Sequence, residues 1–521
     1  MSSKIKVYRA GEVLLEAECE QGGSVLEFLS SRDIFLDAPC GGRGRCGKCK
    51  VRLSPDGEEV KACQTPVTGD DMEIYIPGEM TMKIAGQDAE HSASPTAPTA
   101  APQGAYGVAI EAYGVAIDVG TTTVVAHLTR LSDGKRVATS SGVNAQRPYG
   151  ADVISRIEYS SAHGHETLSR LIQTQINGLV ADNCKKSGVP QENVKYIVIA
   201  GNTIMQHLAA GYSPAGMGTV PFEPVSLFGE ELPPWEALPA ASDAKIYFAP
   251  CVSSYVGGDI TAGMLTCDFE HDAGPTVFID IGTNGEISMK LGERYLCCAT
   301  AAGPAFEGAE ITCGMAAVPG AVSHVKWGRE LELTILGDGA AAAGICGSGL
   351  LDALALLLNT GAVDETGRIL DPDEIDHPIS AHIGTDEQGK NAFYLSRENN
   401  VYLSAADVRK LQLAKAAIAG GIQTLLRTAE VGEDDVKSFI LAGGFGSFLD
   451  RDSAARIGLF PKAFLPVTRS MGNTAGEGAA IALLSEAARE TLGRMRARCE
   501  YIELSSSLIF NEQFVEQMMF E

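Results

Sequence analysis

Basic residues are scarce in this chain. Its 521 residues include 41 lysines and arginines against 66 aspartates and glutamates, a formal net charge of −25. Nucleic acids and anionic bilayers are gripped by basic faces, so this balance argues against both as partners. The N-terminus, MSSKIKVYRAGEVLL, has no apolar core of the kind a secretory signal needs. Long apolar runs are missing too. The longest, residues 340–358, is interrupted by Gly344, Gly347, Ser348, Gly349 and Asp352. It is expected to be a buried helix behind a glycine turn, not a membrane span. The 13 cysteines are odd in number. Without a signal peptide they point to a reducing cytoplasm with free or metal-bound thiols. One further absence settles a local ambiguity. Residues 40–49 read CGGRGRCGKC, and Gly42 with Gly47-Lys48 nearly spells a phosphate loop. The Ser or Thr that must follow, to place a hydroxyl on Mg²⁺, is replaced by Cys49.

What is present divides into three regions: residues 1–84, 85–112 and 113–521. The first is compact. KIKVY (from Lys4) and VLLEAE (from Val13) are expected to form a hairpin turning at Ala10-Gly11. Ser24 with Glu27 forms a capping box for a short helix through Ser31. Strands are expected near 48–53 and 72–76. The second region contains HSASPTAPTAAPQG, rich in Ala, Pro, Ser and Thr, with too little apolar bulk to fold. After it AYGVAI occurs twice, at 105–110 and 112–117. The third region alternates strands and helices, as an α/β fold does. Its tail is expected to hold a short strand in YIELSSSLIF, which starts at Tyr501.

Cysteines recur as Cys40-x5-Cys46-x2-Cys49-x13-Cys63. Four thiolates can hold Zn²⁺ or a [2Fe–2S] cluster. A structural zinc site usually uses two paired knuckles, whereas here three cysteines share one wrapping loop and the fourth comes from elsewhere. Gly41, Gly42, Gly44 and Gly47 leave room for backbone amides to approach bridging sulfides. The spacing resembles adrenodoxin-like and other β-grasp [2Fe–2S] domains. Arg43, Arg45 and Lys48 are either a docking patch for an electron donor or solvated charges. The remaining cysteines show no ligand spacing; adjacent Cys297 and Cys298 would point to opposite faces of a strand.

A second pattern is duplicated. AIDVGTTTVVAHL (from Ala116) and FIDIGTNGEISMK (from Phe278) each run a buried strand into Asp, a Gly-Thr turn and a second strand. Asp118 matches Asp280, Gly120 matches Gly282, and Thr121 matches Thr283. Such Asp residues can hold a hydrated Mg²⁺, and such turns can aim amides and hydroxyls at phosphates. FILAGGFGSFLD (from Phe439) brings a strand to Gly443, Gly444, Phe445 and Gly446, where the backbone can lie against an adenine or a sugar. A helix capped by Ser404 and Asp407 precedes it. MGNTAGEGAAIALL (from Met471) is a small-residue helix suited to a close crossing. GICGSG, at 344–349, is not in the dinucleotide-binding order, which argues against NAD.

These elements resemble the acetate kinase/sugar kinase/Hsp70/actin superfamily: two phosphate motifs, an adenosine motif and a connecting helix. Joined to a [2Fe–2S] domain through a linker, they resemble the reductive activators of corrinoid proteins. The segments IAGNTIMQHLAAG (from Ile199), NAQRPYGADVISRI (from Asn144) and AAGPAFEGAEI (from Ala301) are similar to that family's too. Some members carry an extra domain before the ATPase core; here the linker runs almost directly into Tyr113.

The resemblance implies a β-grasp [2Fe–2S] domain and a two-lobed ATPase core. It also implies ATP-dependent electron transfer that returns an inactive Co(II) corrinoid to Co(I). A plant-type cluster sits near about −400 mV, and a lower cobalt couple costs about 2.3 kcal/mol per electron for each 100 mV of gap. Cys40, Cys46, Cys49 and Cys63 would carry the electron. Asp118 and Asp280 would organise Mg²⁺. Gly120, Thr121, Thr122, Thr123, Gly282, Thr283 and Asn284 would contact phosphate, and Gly443 to Gly446 would frame adenosine. Asn202 and Thr203 either join them or simply cap a helix. Glu307 either positions water or is a salt-bridged loop carboxylate, and Arg156 either faces phosphate or pairs with Asp152. The implied partners are a corrinoid protein of a methyltransferase system, an external low-potential donor and a second copy of the chain. No histidine stands in D-x-H-x-x-G, so the corrinoid belongs to the partner. The Ala301–Gly308 loop is either its contact or a turn around Pro304. Alternatives are an activator of a radical dehydratase, a small-metabolite kinase with a fused redox domain, and a nucleotide-gated scaffold.

Overall fold

The computed structural model describes residues 2–9, 11–20, 22–30, 32, 34, 36, 44, 49–68, 71–77, 111–150, 152–308, 310–446 and 449–520. The linker up to residue 110, including the first AYGVAI copy, lies outside them, as do Cys40 and Cys46.

In the N-terminal region β1 (Ser2–Arg9) and β2 (Glu12–Glu20) form the expected hairpin, with Gly11 at φ +86°. Helix α1 (Val25–Ser30) is capped as the sequence implies: Ser24 N donates to Glu27 (2.7 Å) and Glu27 N to Ser24 Oγ (3.2 Å). Strands β3 (Lys50–Arg52), β4 (Glu59–Lys61) and β5 (Met72–Ile76) complete a mixed sheet of order β2-β1-β5-β3-β4, in which β1 and β5 run parallel. With one helix packed beside it, this is the β-grasp arrangement. Strand β4 has no counterpart among the sequence expectations.

The first lobe begins with β6 (Tyr113–Val119), β7 (Thr123–Arg130) and β8 (Arg136–Val143), an antiparallel meander. Helices α2 (Val153–His163) and α3 (Glu166–Ser187) lead to β9 (Val194–Gly201), parallel to β6. Then come α4 (Thr203–Ala210), β10 (Glu231–Leu232), β11 (Lys245–Phe248) and α5 (Gly258–Thr266).

The second lobe repeats the plan. Strands β12 (Thr276–Ile281), β13 (Gly285–Leu291) and β14 (Arg294–Thr300) form its meander. An insertion follows: β15 (Ala321–Trp327), β16 (Leu331–Ile335) and β17 (Gly344–Ile345) form one small sheet. After α6 (Gly347–Asn359), β18 (Ile383–Thr385), β19 (Asn391–Ser396) and β20 (Val401–Ser404) form another. Helix α7 (Ala405–Ala429), with its Ser404–Asp407 capping box, returns the chain to β21 (Ser438–Ala442), parallel to β12. The chain closes with α8 (Gly443–Gly446), α9 (Arg451–Arg456), β22 (Thr468–Ser470), α10 (Thr474–Leu484), α11 (Glu486–Arg498), β23 (Cys499–Tyr501) and α12 (Leu508–Glu516).

The two six-stranded sheets, β10-β11-β9-β6-β7-β8 and β22-β21-β12-β13-β14-β23, thus share one design. Their helices α5 and α10 cross at the seam. A Cβ on Gly478 would collide with the Ala262 carbonyl, so only glycine permits this approach. Thr266 Oγ1 donates to Thr474 O across the crossing (2.7 Å). The expected strand in YIELSSSLIF is a correction. Only Cys499–Tyr501 pairs, beside β14, and Ser507 then caps a helix by accepting from Phe510 N (3.2 Å). That helix packs on α7 where Gly420 leaves room for Phe510 and Phe514. Cys297 and Cys298 are both fully buried and face different core clusters, as alternation along β14 requires.

Candidate functional site

Buried apolar residues hold β6 between β7 and β9 and carry Asp118 to its C-terminal end, opposite Val125 and Ala200. The turn behind it is tight: Gly120 N donates to Thr123 O (2.9 Å), and a Cβ on Gly120 would stand 2.7 Å from that oxygen. Every carbonyl of the turn is engaged. Asn144 Nδ2 donates to Gly120 O (2.8 Å), Arg156 Nη2 to Thr121 O (2.6 Å) and Asn144 N to Thr122 O (2.9 Å).

Arg156 is wholly buried, and its other donors reach Gly150 O (3.0 Å) and Gln146 Oε1 (3.1 Å). Burial lowers its pKa to about 9. It therefore braces the turn from behind rather than facing phosphate, while Asp152 caps α2 through Ser155 N (2.7 Å). Asn202 is a helix cap that also touches the first turn. It caps α4 through Met205 N (2.9 Å) and donates to Thr121 Oγ1 (3.0 Å). Thr203 turns away, donating to Ser253 O (2.6 Å).

The second turn is built alike. Asp280 ends β12 opposite Glu286 and Ala442, and Gly282 N donates to Asn284 O (2.9 Å). Its support differs: Thr283 Oγ1 donates to Glu307 Oε1 (2.8 Å) in a single 3₁₀ turn opened by Pro304. Burial raises the Glu307 carboxyl above its usual range, and the bond from Thr283 pulls it partly back. Gly443, at φ +85°, lets β21 turn past Asp280; a Cβ there would collide with the Asp280 carboxylate. Gly444 has open space around it, while Phe445 stacks on Phe306 (5.5 Å, 14°) in the wall behind Glu307.

Four carboxyls sit together where the lobes meet. Burial first, and mutual repulsion second, raise Asp280 to about 7 and Asp259 to about 8, with Glu286 well above its usual value. Burial alone raises Asp118 to about 6. Asn473, the cap of α10, crosses from the second lobe to donate to Asp118 Oδ2 (2.8 Å). Among the described residues no three such groups converge tightly enough to hold a bare cation.

In the N-terminal region Cys49 is buried at the entry to β3 and Cys63 is half-buried in a 3₁₀ turn. Ala62 N donates to Cys49 O (2.7 Å), which sets the two cysteine segments side by side. Gly44, at φ +73°, lies against Gln64, where any Cβ would collide. Gly44 thus approaches the segment that carries Cys63.

Three family models cover most of the chain. Residues 11–68 match a 2Fe-2S iron-sulfur cluster binding domain, 113–272 the RACo middle region, and 274–521 the C-terminal domain of RACo, the ASKHA domain. The corrinoid activation enzyme RamQ of Eubacterium limosum is 30% identical over 97% of this chain and 98% of its own. The chain belongs to the family of reductive corrinoid activators. A solved reductive activator for corrinoid, iron-sulfur protein shares 29% identity at a TM-score of 0.69, covering 99% of this chain and 98% of that one. The [Co(II) methylated amine-specific corrinoid protein] reductase of Methanosarcina barkeri is 25% identical over 67% of this chain and 66% of its own.

Within this corrinoid-activator fold, sequence reasoning left out Asp259, Asn473 and Asn144 and left Glu286 unassigned. A signal for Asp259 existed. Gly257-Gly258-Asp259 opens a helix continuing Ala262-Gly263, the small-residue pattern already noticed at 474–479.

Proposed function

We propose that this protein uses ATP to pass one electron from a [2Fe–2S] cluster to a corrinoid protein of a methyltransferase system, returning Co(II) to Co(I). One observation carries this reading. A single chain joins cysteine segments set side by side at Cys49 and Cys63 to a core in which the aspartates of two Asp–Gly–Thr turns, Asp118 and Asp280, repel one another. Cys40, Cys46, Cys49 and Cys63 hold the cluster, which when bound supplies low-potential one-electron transfer.

Asp118 and Asp280 would hold Mg²⁺, with Asp259 and Glu286 in electrostatic reach of Asp280. Thr121, Thr122, Thr123, Thr283, Asn202 and Asn284 line the phosphates, and Gly443 to Gly446 frame the adenosine. Asp118 belongs to one lobe and Asp280 to the other, so a bound Mg²⁺ would relieve their repulsion and favour approach of the lobes. A phosphate oxygen arriving at Thr283 competes for the hydroxyl hydrogen now given to Glu307. The freed carboxylate would then accept the proton of the water that attacks the γ-phosphorus, while the bond to the bridging oxygen breaks and ADP leaves with that oxygen. Closure biases the complex with the partner toward the state in which cobalt is reducible.

Residues 1–84 and 113–521 work as separate units, and linker 85–112 lets the cluster travel between an external low-potential donor and the docked partner. No helix among the described residues is long and apolar enough to cross a membrane. The working place is the cytoplasm, and a pair of copies meets through the core.

The test is anaerobic. The reduced protein is mixed with a Co(II) corrinoid protein, and the visible spectrum is followed with and without ATP. A Co(I) band appearing only with ATP is expected. Cys46→Ser should abolish electron delivery and Asp118→Ala the ATP dependence. A reducible cluster that yields no Co(I) with any of several such partners would transfer the assignment to another acceptor.

A further inference from the structure

Between α4 and β11, residues 211–244 contain little regular structure beyond the two-residue strand β10. Irregular segments longer than about 12–15 residues inside a compact domain are usually functional or disordered, and this one is pinned. His207 of α4 accepts from Val225 N (3.1 Å) and Ser226 N (3.3 Å) through Nε2, which leaves Nδ1–H to donate to Thr203 O (2.7 Å). Ser254 Oγ donates to Phe222 O (2.5 Å), and Tyr255 OH donates to Met217 O (2.6 Å). Phe222 is held at φ +58°, a region costly for a bulky side chain. The pinned segment nevertheless presents Val220, 78% exposed, and Val225, 66% exposed. Between it and the segment after β23 lies a cavity of about 430 Å³, with Phe222, Leu227, Tyr255 and Tyr501 among its walls. That volume falls within the usual range of about 300–1,000 Å³ for ligand pockets. Glu503 is the one charged residue lining it, and Glu223 stands exposed on the adjoining loop.

The wall of this groove is also part of the nucleotide machinery. Ser253 lines it and accepts from Thr203, the neighbour of Asn202, which touches Thr121. The same wall segment, 253–255, runs directly into α5 and Asp259. A ligand in the groove and a nucleotide in the cleft therefore share rigid elements, and any coupling between them must be reciprocal.

We infer that this groove is the docking site for an extended segment of the corrinoid partner, one bearing an apolar side chain beside a lysine or arginine. Aromatic walls take the apolar side chain, and Glu503 with Glu223 takes the cation. The inference rests on the activator reading above.

Its test uses the full chain with the Co(II) corrinoid protein that the wild type reduces. Val220→Asp and Glu503→Lys should each raise the KM for the corrinoid protein about tenfold. Basal ATP hydrolysis and the rate at saturating partner should be unchanged. Glu503→Lys should also weaken the salt dependence of that KM. Hydrogen exchange of the wild type should slow at 219–227 and 501–506 when the corrinoid protein is added. Unchanged KM in both variants, or protection confined to other segments, overturns the docking site while leaving the activator reading intact. Val220→Asp that converts a dimer to a monomer in sedimentation, with KM unchanged, assigns the groove to a second copy and also overturns it. A wild type that reduces no corrinoid protein overturns both readings together.

Discussion

The two Asp–Gly–Thr turns are one design used twice, yet they are supported by opposite means. Behind the first stands Arg156, a buried cation whose guanidinium engages three oxygen acceptors and the Met205 sulfur. Behind the second stands Glu307, a half-buried carboxyl that accepts from the Thr283 hydroxyl. The strands that follow diverge at matching places. Asp118 pairs with Ala200 and Asp280 with Ala442, so Gly201-Asn202 occupies the place of Gly443-Gly444. In the first lobe a side-chain amide reaches the phosphate turn; in the second, bare backbone passes the aspartate. A fixed cation makes the first turn a rigid cradle. A titratable acid makes the second one responsive to charge. Duplicated scaffolds can therefore divide labour through the residues behind the turns while the turns stay alike.

The comparison is broken most severely at the carboxylates. Asp118→Ala and Asp280→Ala should each lower ATP hydrolysis at least about 100-fold, measured as phosphate release. If one is tolerated, the lobes do not share the cation. Next is Arg156→Ala. It strands three buried acceptors and opens a cavity, so urea unfolding should show a loss of about 3–5 kcal/mol. Glu307→Gln, sterically conservative, should leave stability nearly unchanged and instead reduce hydrolysis. Equal stability losses for the two would erase the distinction between cradle and responder.

Glycine substitutions sharpen the contrast further. Gly443→Ala must adopt φ +85° against the Asp280 carboxylate and should cost about 1–3 kcal/mol, with weakened nucleotide binding by calorimetry. Gly444→Ala, in open space, should change stability by no more than about 0.5 kcal/mol.

The smallest effect is on pH dependence. Asp118, Asp259 and Asp280 are raised to about 6, 8 and 7, above the ordinary aspartate value of about 3.9. Between pH 4 and 8 the folded state holds more protons than the unfolded chain. The contribution of these groups is full below about pH 4 and is lost as pH rises to about 8. Thermal melts without nucleotide should therefore fall across that window. Mg²⁺ with a non-hydrolysable ATP analogue should flatten the slope, and Asp280→Asn should shrink it.

The hairpins, the capping boxes at Ser24 and Ser404 and each of the two Asp–Gly–Thr turns were legible in sequence. Each depends on residues within about a dozen positions of one another. The strand expected in YIELSSSLIF failed because a short apolar run reads alike in strand and helix. Gly420, far away on α7, decides the matter by leaving room for Phe510 and Phe514. Arg156 was ambiguous for the same reason: its partners Gln146, Gly150 and Thr121 meet only once α2 packs behind the first turn.

By itself, then, the sequence determined the local chemistry: thiolates spaced for a cluster, carboxylates at strand ends, glycines where turns must tighten. Spacing along the chain is enough for these, because short-range geometry follows from backbone sterics and hydrogen bonding. Only the tertiary structure decided which charges share one space. Asp118, Asp259, Asp280 and Glu286 come together through the crossing of α5 and α10, and Asn473 reaches Asp118 across 355 positions of sequence. Repulsion and desolvation depend on distance and burial, and neither can be read from the order of residues alone.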